Sequence, residues 1–350
     1  MSRRDLLLGL LLACCAAQSG CKKSQSQATT QAAPGAESGE KATAPSAPLK
    51  LAYSDWPGWV AWDIAVEKGY FKAAGVDVSL VWLEYVPSME AFSEGKVDAV
   101  CMTNGDALVS GSSGARSVGI VINDYSNGND MIVAQPSIKK LTDLKGKKVG
   151  VEVGFVDHLL LMEGLKSVHL SESDIDIVNT RTQDTPAALK AGSVSAIAAW
   201  QPNSGHALDQ VPGAAPLFTS ANVPGLIYDV LFVNPKSLAA RRDDWKKVVR
   251  VWFQVVAFVS DPAHRAEAAR IMSQKAQMTP ERYEKLMNGT QFLDLAENQK
   301  RFARRPGLDT VYGSSEIVDQ FNVANRVYRE AVKPDPYFDP SLVAEVASDK

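Results

Sequence analysis

The segment VEKGYFKAAGVDV, residues 66–78, carries the local signals from which the fold can be predicted. Gly69 suits the end of a helix, because glycine readily adopts the left-handed backbone conformation that often closes one. Phe71 offers an aromatic side chain that can hold this helix against a sheet. Gly75 permits a sharp turn into Val76-Asp77-Val78, whose alternation of apolar and polar residues is typical of a half-buried strand. The segment therefore predicts a helix followed by a strand.

The alternation of strands and helices continues on both sides of this segment. Short apolar runs bounded by turn residues predict strands at 50–54, 76–83, 97–103 and 117–123, and then at 148–153, 174–179, 195–200, 215–219 and 228–233. Helical patterns lie between them, for example at Ala61–Ala73 and Ser88–Glu94, and the chain from Asp243 onward is largely helical. Because strands alternate with helices, the sequence predicts an α/β protein with mostly parallel sheets.

The two groups of predicted strands indicate two lobes. We expect residues 49–130 to form the first lobe, 131–228 to form the second, and 229–350 to return to the first and add C-terminal helices. A chain that crosses twice between lobes forms a hinge, and the cleft between hinged lobes is a common ligand site. The predicted architecture is thus a two-lobe α/β fold with an interlobe cleft and a helical C-terminal part.

Four motifs resemble those of the nitrate/taurine/sulfonate group of periplasmic binding proteins. They are the segment 66–78 quoted above, AFSEGKVDA at 91–99, LTDLKGKKVG at 141–150 and AALKAGSVSA at 187–196. The resemblance covers about residues 50–260 and implies the type II periplasmic binding protein fold, with lobes that close on a ligand. It also implies two partners, a membrane permease of the ABC importer class and its ATPase.

The first 21 residues have the pattern of an export signal. Arg3 and Arg4 precede the apolar run Leu6–Ala17, which is shorter than the roughly 20 residues that a membrane-spanning helix needs. The paired arginines resemble a twin-arginine signal. Gln18-Ser19-Gly20-Cys21 resembles a lipoprotein cleavage box, although Cys14 offers a competing position. We therefore expect lipidation at Cys21 and a protein that is held outside the cytoplasmic membrane.

Residues 22–48 have a composition that favours a disordered tether. They are rich in Ala, Ser, Gln, Pro and Gly and contain no aromatic or large aliphatic residue. Such a segment buries too little apolar surface to offset the entropy lost on folding. Signal, cysteine and tether together predict a domain anchored to a membrane surface by a lipid.

Composition argues against several other classes of protein. The net charge of −3 gives no electrostatic basis for binding nucleic acid. Cys101 is the one cysteine beyond the predicted signal, and its apolar neighbours predict a small buried side chain rather than a reactive thiol. The cysteines form neither a disulfide framework nor a zinc-binding pattern. We expect a monomer without metal or cofactor.

Candidate ligand residues lie where predicted strands end and loops face the cleft. Those loops are rich in acidic and aromatic residues and contain no Arg or Lys. The predicted ligand-binding residues are Asp55, Trp56, Trp59, Glu84, Asn104, Asp106, Asn129, Asp130, Asp157, His158, Trp200, Gln201, Asn203 and Asp229. Asp124 and Trp82 lie in the same set of loops. Several of these acids have an alternative interpretation as helix caps, turn residues or partners in hinge salt bridges.

Acidic and aromatic residues together favour a cationic ligand. Carboxylates pair with an ammonium or a guanidinium, and the face of a tryptophan ring attracts a cation. An anion such as a sulfonate would instead require donors, for example free amides at a helix N-terminus. Asp157 is predicted to cap the first helix of the second lobe and to occupy those donors. The sequence therefore predicts a small cationic or zwitterionic nitrogen compound as ligand.

Three alternatives remain open from the sequence. The resemblance itself is to proteins that bind taurine, sulfonates or nitrate, so the ligand is alternatively an anion. A pyrimidine-synthase-like enzyme of similar fold uses a cysteine-rich iron-binding segment and a histidine, whereas this chain has only His158, His169, His206 and His264 as histidines. We accordingly expect a binding protein and no enzyme. A sensory module of the same fold is the third alternative.

Overall fold

Two β-sheets organise the chain, and a computed structural model describes residues 47–276 and 278–349 of it. The predicted signal segment, Cys21 and most of the predicted tether lie outside the described residues. Among the described residues, no helix combines the length and the apolar character required to cross a membrane.

The first sheet has six strands. They are β1 (Leu49–Tyr53), β2 (Val78–Trp82), β3 (Ala99–Thr103), β4 (Val118–Ser126), β10 (Tyr228–Val233) and β11 (Thr290–Phe292), in the spatial order β11-β4-β10-β3-β1-β2. Strands β2, β1 and β3 run parallel, whereas β10 runs antiparallel to both β3 and β4. Strand β10 is antiparallel because the chain returns through it from the second sheet.

The second sheet has five strands. They are β5 (Asp130–Ala134), β6 (Lys148–Val151), β7 (Asp176–Asn179), β8 (Ala196–Trp200) and β9 (Ala215–Thr219), in the order β7-β6-β8-β5-β9. Strands β7, β6 and β8 are parallel, and β5 is antiparallel to β8 and β9. The predicted α/β class is confirmed, but the prediction of mostly parallel sheets missed β5 and β11 and the reversed direction of β10.

Helices cover the sheets and continue to the end of the described chain. The first eight are α1 (Pro57–Val60), α2 (Trp62–Glu67), α3 (Tyr70–Ala73), α4 (Tyr85–Ser93), α5 (Asn104–Ser112), α6 (Val156–Ser167), α7 (Thr185–Lys190) and α8 (Asn203–Gln210). The C-terminal ones are α9 (Pro235–Ala240), α10 (Arg242–Ser260), α11 (Arg265–Ala276), α12 (Pro280–Leu286), α13 (Leu295–Arg301), α14 (Val311–Ala324) and α15 (Ser341–Ser348).

The predicted helix 61–73 is divided into short helices. Gly69 adopts φ 69°, in the left-handed region, and separates α2 from α3. Trp62 is fully buried and stacks on Phe71, with ring centroids 5.9 Å apart, and its ring centroid lies 4.5 Å from that of Trp252 on α10. Trp62, Phe71 and Trp252 belong to the core, and this aromatic group packs α10 against α2 and α3.

The chain crosses twice between the two sheets. The first crossing joins β4 to β5 through residues 127–129, and the second joins β9 to β10 through residues 220–227. The Ser126 and Ser220 hydroxyl oxygens lie 2.7 Å apart, and the Gly128 amide donates to Ser220 Oγ at 2.7 Å. The two crossings are therefore hydrogen-bonded side by side.

We predict that Trp252→Ala lowers the free energy of unfolding by about 3–5 kcal/mol, because it leaves a large cavity against Trp62. Denaturant unfolding followed by far-UV circular dichroism measures the change. Trp82→Ala is the matched control, since Trp82 on the edge strand β2 is 39% exposed, and it should change stability by less than about 1 kcal/mol. Equal losses in both variants would contradict the assignment of Trp252 to the core.

Candidate functional site

Four aromatic rings form a closed circuit in the cleft between the sheets. Trp56 lies 6.4 Å from Trp59 and 6.4 Å from Trp200, measured between ring centroids. Tyr85 completes the circuit at 5.1 Å from Trp59 and 6.0 Å from Trp200. Trp56, Trp59 and Tyr85 follow β1 and β2 of the first sheet, whereas Trp200 ends β8 of the second. The circuit therefore combines three rings from the first-sheet side of the cleft with one ring, Trp200, from the second-sheet side.

These rings surround a cavity that contains about 210 Å³ of space free of protein atoms. Besides the four rings, it is lined by Thr103, Asp130, Val156, Ile227 and Asp229. A water-sized sphere has only about 10 Å³ of free volume there, which is about the space that one water molecule requires. The cavity, called the aromatic cavity below, is therefore nearly closed in this structure.

Five aspartates are buried in and around the aromatic cavity. They are Asp106, Asp124, Asp130, Asp157 and Asp229, each at most 2% exposed. Asp124 on β4 and Asp229 on β10 are partners in the antiparallel register, and Asp130 at the start of β5 is the partner of Trp200. Because β5 and β10 run against their neighbours, their first residues meet the carboxyl ends of the parallel strands at one edge of each sheet.

Four of these carboxyl groups have an oxygen without a hydrogen-bond partner. The atoms are Asp124 Oδ2, Asp130 Oδ2, Asp157 Oδ1 and Asp229 Oδ2. An unpaired polar atom in a protein interior typically destabilises the fold by 1–3 kcal/mol. Among the described residues, no salt bridge involves any of the five aspartates. The cluster therefore lacks the positive partners that buried charges require.

Burial raises the pKa of all five aspartates. The pKa of Asp124 and that of Asp130 rise to about 7, and that of Asp106 rises to about 6. The pKa values of Asp157 and Asp229 lie well above the ordinary range, because burial is reinforced by repulsion from neighbouring carboxylates. Asp124 and Asp229 are partners on neighbouring strands, and repulsion between them favours a state in which the pair retains one proton.

Asp124 is held in place from two sides. Trp56 Nε1 donates a hydrogen bond to Asp124 Oδ1 at 3.1 Å. On the other side the carboxylate lies so close to the backbone of Gly58 that a Cβ atom there would sit 1.8 Å from Asp124 Oδ2. Only glycine fits at position 58. Asp124 does not line the aromatic cavity, and its hydrogen bond orients Trp56.

Asp106 holds the ring of Tyr85. The Tyr85 hydroxyl donates to Asp106 Oδ2 at 2.6 Å and accepts from the Thr103 amide at 3.0 Å. Thr103 Oγ1 in turn accepts from the Asp106 amide at 3.0 Å and caps α5. Both hydrogen-bonding positions of the Tyr85 hydroxyl are occupied by protein, so its ring serves as a wall of the cavity.

Asp157 does not cap α6, which corrects the prediction from the sequence. The residue before α6 is Phe155, and no side chain caps the helix. Asp157 lies within the first turn, where its Oδ2 accepts from Thr182 Oγ1 at 3.1 Å. The Val156 amide at the start of α6 lies close enough to the Asp106 carboxylate to oppose the rise of its pKa.

A second space of about 260 Å³ adjoins the aromatic cavity and shares Thr103, Val156 and Ile227 with it. Asn104 and Asp106 line it from α5, and Asn322 lines it from α14. Both polar atoms of the Asn104 side chain have hydrogen-bond partners within the protein. Its Nδ2 donates to Ser314 and Ser315, and its Oδ1 accepts from the Tyr228 amide. Asn104 therefore joins α14 to β10.

The mouth of the cleft is a wider space of about 670 Å³ outside the aromatic cavity. Glu84, Glu152, Arg181 and Asn203 line it, and Tyr85 and Trp200 form its inner boundary. Burial raises the pKa of Glu84, and the charge of Arg181 opposes this rise. Glu84 and Asn203 therefore lie on the path to the aromatic cavity.

Other predicted ligand residues have structural partners. Asn129 in the first crossing donates to the Leu286 carbonyl at 2.8 Å and to Thr290 Oγ1 at 2.9 Å. Gln201 Oε1 accepts from the Gly205 amide, and His158 Nδ1 accepts from the Gly154 amide. Asp55 is half-buried, and burial together with repulsion from Glu84 raises its pKa to about 7. None of these four lines the aromatic cavity.

The predicted site residues are thus divided by the structure. Trp56, Trp59, Asp130, Trp200 and Asp229 line the aromatic cavity, and Asp106 and Asp157 are buried next to it. Trp82 is 39% exposed on β2 and does not line the aromatic cavity.

Two residues that shape the cavity were absent from the predicted set. Asp124 lies in β4, which continues to Ser126 instead of ending near residue 123 as the apolar run predicted. Tyr85 lies at the first position of α4, next to Glu84. The signal for Asp124 was its place among the cleft acids, and no sequence signal distinguishes Tyr85.

A metal centre finds no support in the described residues, because no group of three or more His, Cys, Asp or Glu side chains there is arranged to hold an ion. Cys101 is buried in β3, as expected.

Comparison with known proteins identifies the family. A family model described as "NMT1/THI5 like" matches residues 60–264, more than half of the chain. The chain belongs to this family. A protein of Brucella abortus, named as a candidate binding protein, is 25% identical over 206 residues. The match covers 58% of this chain and 64% of the relative, so the chain spans less than two thirds of that relative's length.

Solved structures confirm the predicted fold. The periplasmic aliphatic sulphonate binding protein SsuA from Escherichia coli matches with a TM-score of 0.70 and 18% identity, over 84% of this chain and 92% of that one. The desulfurization enzyme DSZB matches with a TM-score of 0.63 and 16% identity, over 86% and 99% of the two chains. The resemblance to periplasmic binding proteins is confirmed as one of fold. A binding protein and an enzyme share this fold, so function must be argued from the site.

We predict that the ligand-free protein loses stability as the pH rises from about 4 to above 7. The folded-state pKa values of Asp124 and Asp130, about 7, exceed the unfolded value near 3.9. In this window the folded state therefore binds more protons than the unfolded state, and each pH unit lowers the free energy of unfolding. Thermal melts across this pH range measure the slope. A slope that is unchanged in Asp130→Asn would contradict the assignment.

Proposed function

We propose that this protein is the solute-binding component of an ABC-type importer and captures a small cationic or zwitterionic nitrogen compound. The observation that carries the proposal is the aromatic cavity, into which buried aspartates bring unpaired oxygens without any Lys or Arg among its lining residues. Family membership and the two-sheet fold support the binding role.

A cation resolves the electrostatic problem of the cavity. Buried carboxylates repel one another, and each raises the pKa of its neighbours. A positive ligand would pair with Asp130 and Asp229, while Trp56, Trp59 and Trp200 would present ring faces worth roughly 0.5–2 kcal/mol in cation–π contact. An anion would meet the same acids with repulsion, and the Asp106 carboxylate already lies close to the amide at the start of α6.

Capture would involve both lobes. Asp130, Val156 and Trp200 belong to the second sheet and its helices, whereas the other lining residues come from the first-sheet side or from the second crossing. We propose lobes close to the predicted ranges 49–130 with 229–350, and 131–228, that rotate about the two crossings. Ligand would then stabilise the closed form, because only that form completes the aromatic circuit.

We further propose that the protein acts outside the cytoplasmic membrane, anchored through Cys21, and delivers its ligand to a permease with an associated ATPase. The basis is the N-terminal sequence pattern together with the family. An anion binder of the taurine, sulfonate or nitrate type remains the second candidate, because the Escherichia coli relative of the same fold is named for aliphatic sulphonates. An enzyme is less well supported, since the acids face a cavity closed by aromatic rings.

We predict that a ligand screen by thermal shift will favour cations. The panel contains methylamine, guanidinium, choline and glycine betaine against taurine, ethanesulfonate and nitrate, all at matched ionic strength. A ligand at 100 times its dissociation constant adds about 2.7 kcal/mol of stability. We expect stabilisation by a cation or zwitterion. Stabilisation only by sulfonate or nitrate would keep the binding role and overturn the ligand class.

We predict that Asp130→Asn will weaken binding of the cation found in this screen at least 30-fold, as expected when one charge of a buried pair is removed. The same variant should be more stable than the parent without ligand at pH 8, since it removes a buried charge. Calorimetric titration and thermal melts measure the two effects. Asp77→Asn, at an exposed position, is the matched control and should change neither. A less stable variant with unchanged affinity would indicate a purely structural role for Asp130.

A further inference from the structure

We infer that the aromatic cavity selects a planar, N–H-rich cation of the guanidinium type over a fully methylated ammonium. The inference rests on the proposed function and narrows its ligand class. The observation that separates the two kinds of cation is the set of unpaired carboxyl oxygens, since the aromatic walls attract both.

The two carboxyl groups that line the aromatic cavity need hydrogen-bond donors. Asp130 Oδ2 and Asp229 Oδ2 have no partner, although both residues are at least 98% buried. A tetramethylammonium ion has no N–H group, so it would neutralise charge and leave both oxygens unpaired. A guanidinium ion presents several N–H donors in one plane and can form two parallel hydrogen bonds with a carboxylate.

The two acids approach the cavity from different lobes. Asp229 is the second residue of β10 in the first sheet, and Asp130 is the first residue of β5 in the second. A ligand that pairs with both must direct donors towards two sides at once. The edges of a guanidinium plane do this, while its faces remain free to stack on indole rings. Trp56 and Trp59 from one lobe and Trp200 from the other supply such rings.

The site is also built to hold these acids still. Asp124 is fixed between Trp56 Nε1 and the backbone of Gly58, and Asp229 is placed by its antiparallel register with Asp124 on β4. Asp130 is placed by its register with Trp200 on β8. In this structure the cavity has about 10 Å³ of free volume, room for about one water molecule, so the two lobes would have to separate to admit a guanidinium ion, and a bulkier cation would require a larger displacement.

The test compares four small probes by calorimetric titration of the whole protein at pH 8 and constant ionic strength. Guanidinium at millimolar concentration has both charge and N–H donors, urea has the donors without the charge, and tetramethylammonium has the charge without the donors. Methylguanidine tests tolerance for one substituent. We expect guanidinium or methylguanidine to bind at least tenfold more tightly than tetramethylammonium, and urea to bind more weakly than either.

The outcomes separate this inference from the proposed function. Tetramethylammonium binding as tightly as guanidinium would overturn the inference and keep a cation binder. Binding of sulfonate or nitrate alone would overturn both. Equal binding of urea and guanidinium would show that the site does not distinguish a charged ligand from a neutral one. That result would overturn both the inference and the proposed function.

A pair of variants tests the role of Asp229. Asp229→Asn should weaken guanidinium binding at least tenfold and narrow its advantage over tetramethylammonium, because one oriented acceptor is lost. Asp77→Asn should leave both affinities unchanged. Melting curves establish that the variants are folded. A folded Asp229→Asn protein with the parent's preference between the two cations would overturn the inference.

Discussion

Five carboxyl groups buried without a cation are the constraint on which the rest of this site depends. In water each would ionise near pH 4, but burial and mutual repulsion raise the pKa of every one. A protein that evolved only for stability would replace them with apolar side chains or supply a buried arginine. The described residues do neither, and they surround the acids with tryptophan and tyrosine rings. Such an arrangement is consistent with a site completed by its ligand, as functional sites often sacrifice stability.

Strand direction explains how the acids come together. In each sheet most strands present their carboxyl ends to the cleft, and the one reversed strand that follows a crossing presents its first residues there. Asp130 is the first residue of β5 and Asp229 the second of β10, so both lie close to the two crossings between sheets. A rotation about the crossings would therefore move Asp130 and Trp200 relative to Asp229 and Trp56. The same short segments that connect the lobes determine the separation of the charged groups.

Much of this was predictable from the sequence, for physical reasons. Short apolar runs bounded by turn residues located nine of the eleven strands in the described part of the chain. The apolar run of β5 at 131–134 was overlooked although it is largely buried, and β11 has only three residues and therefore little local signal. The acids and tryptophans of the cleft were recognised by their place after strands. Asp157 was predicted to cap α6, but its side chain accepts a hydrogen bond from Thr182 instead. That contact between distant segments depends on tertiary structure.

The closeness of the Asp124 and Asp229 carboxyl groups on neighbouring strands would affect how partner proteins recognise this one. A buried carboxyl pair that keeps one proton when empty can give up that proton when a cation arrives. If the proposed cation binds, the exchange leaves the net charge of the complex nearly constant, so loaded and empty molecules would project almost the same electrostatic field. Under the proposed function, a membrane partner that distinguishes them would have to sense the relative position of the lobes, because long-range attraction would treat both alike.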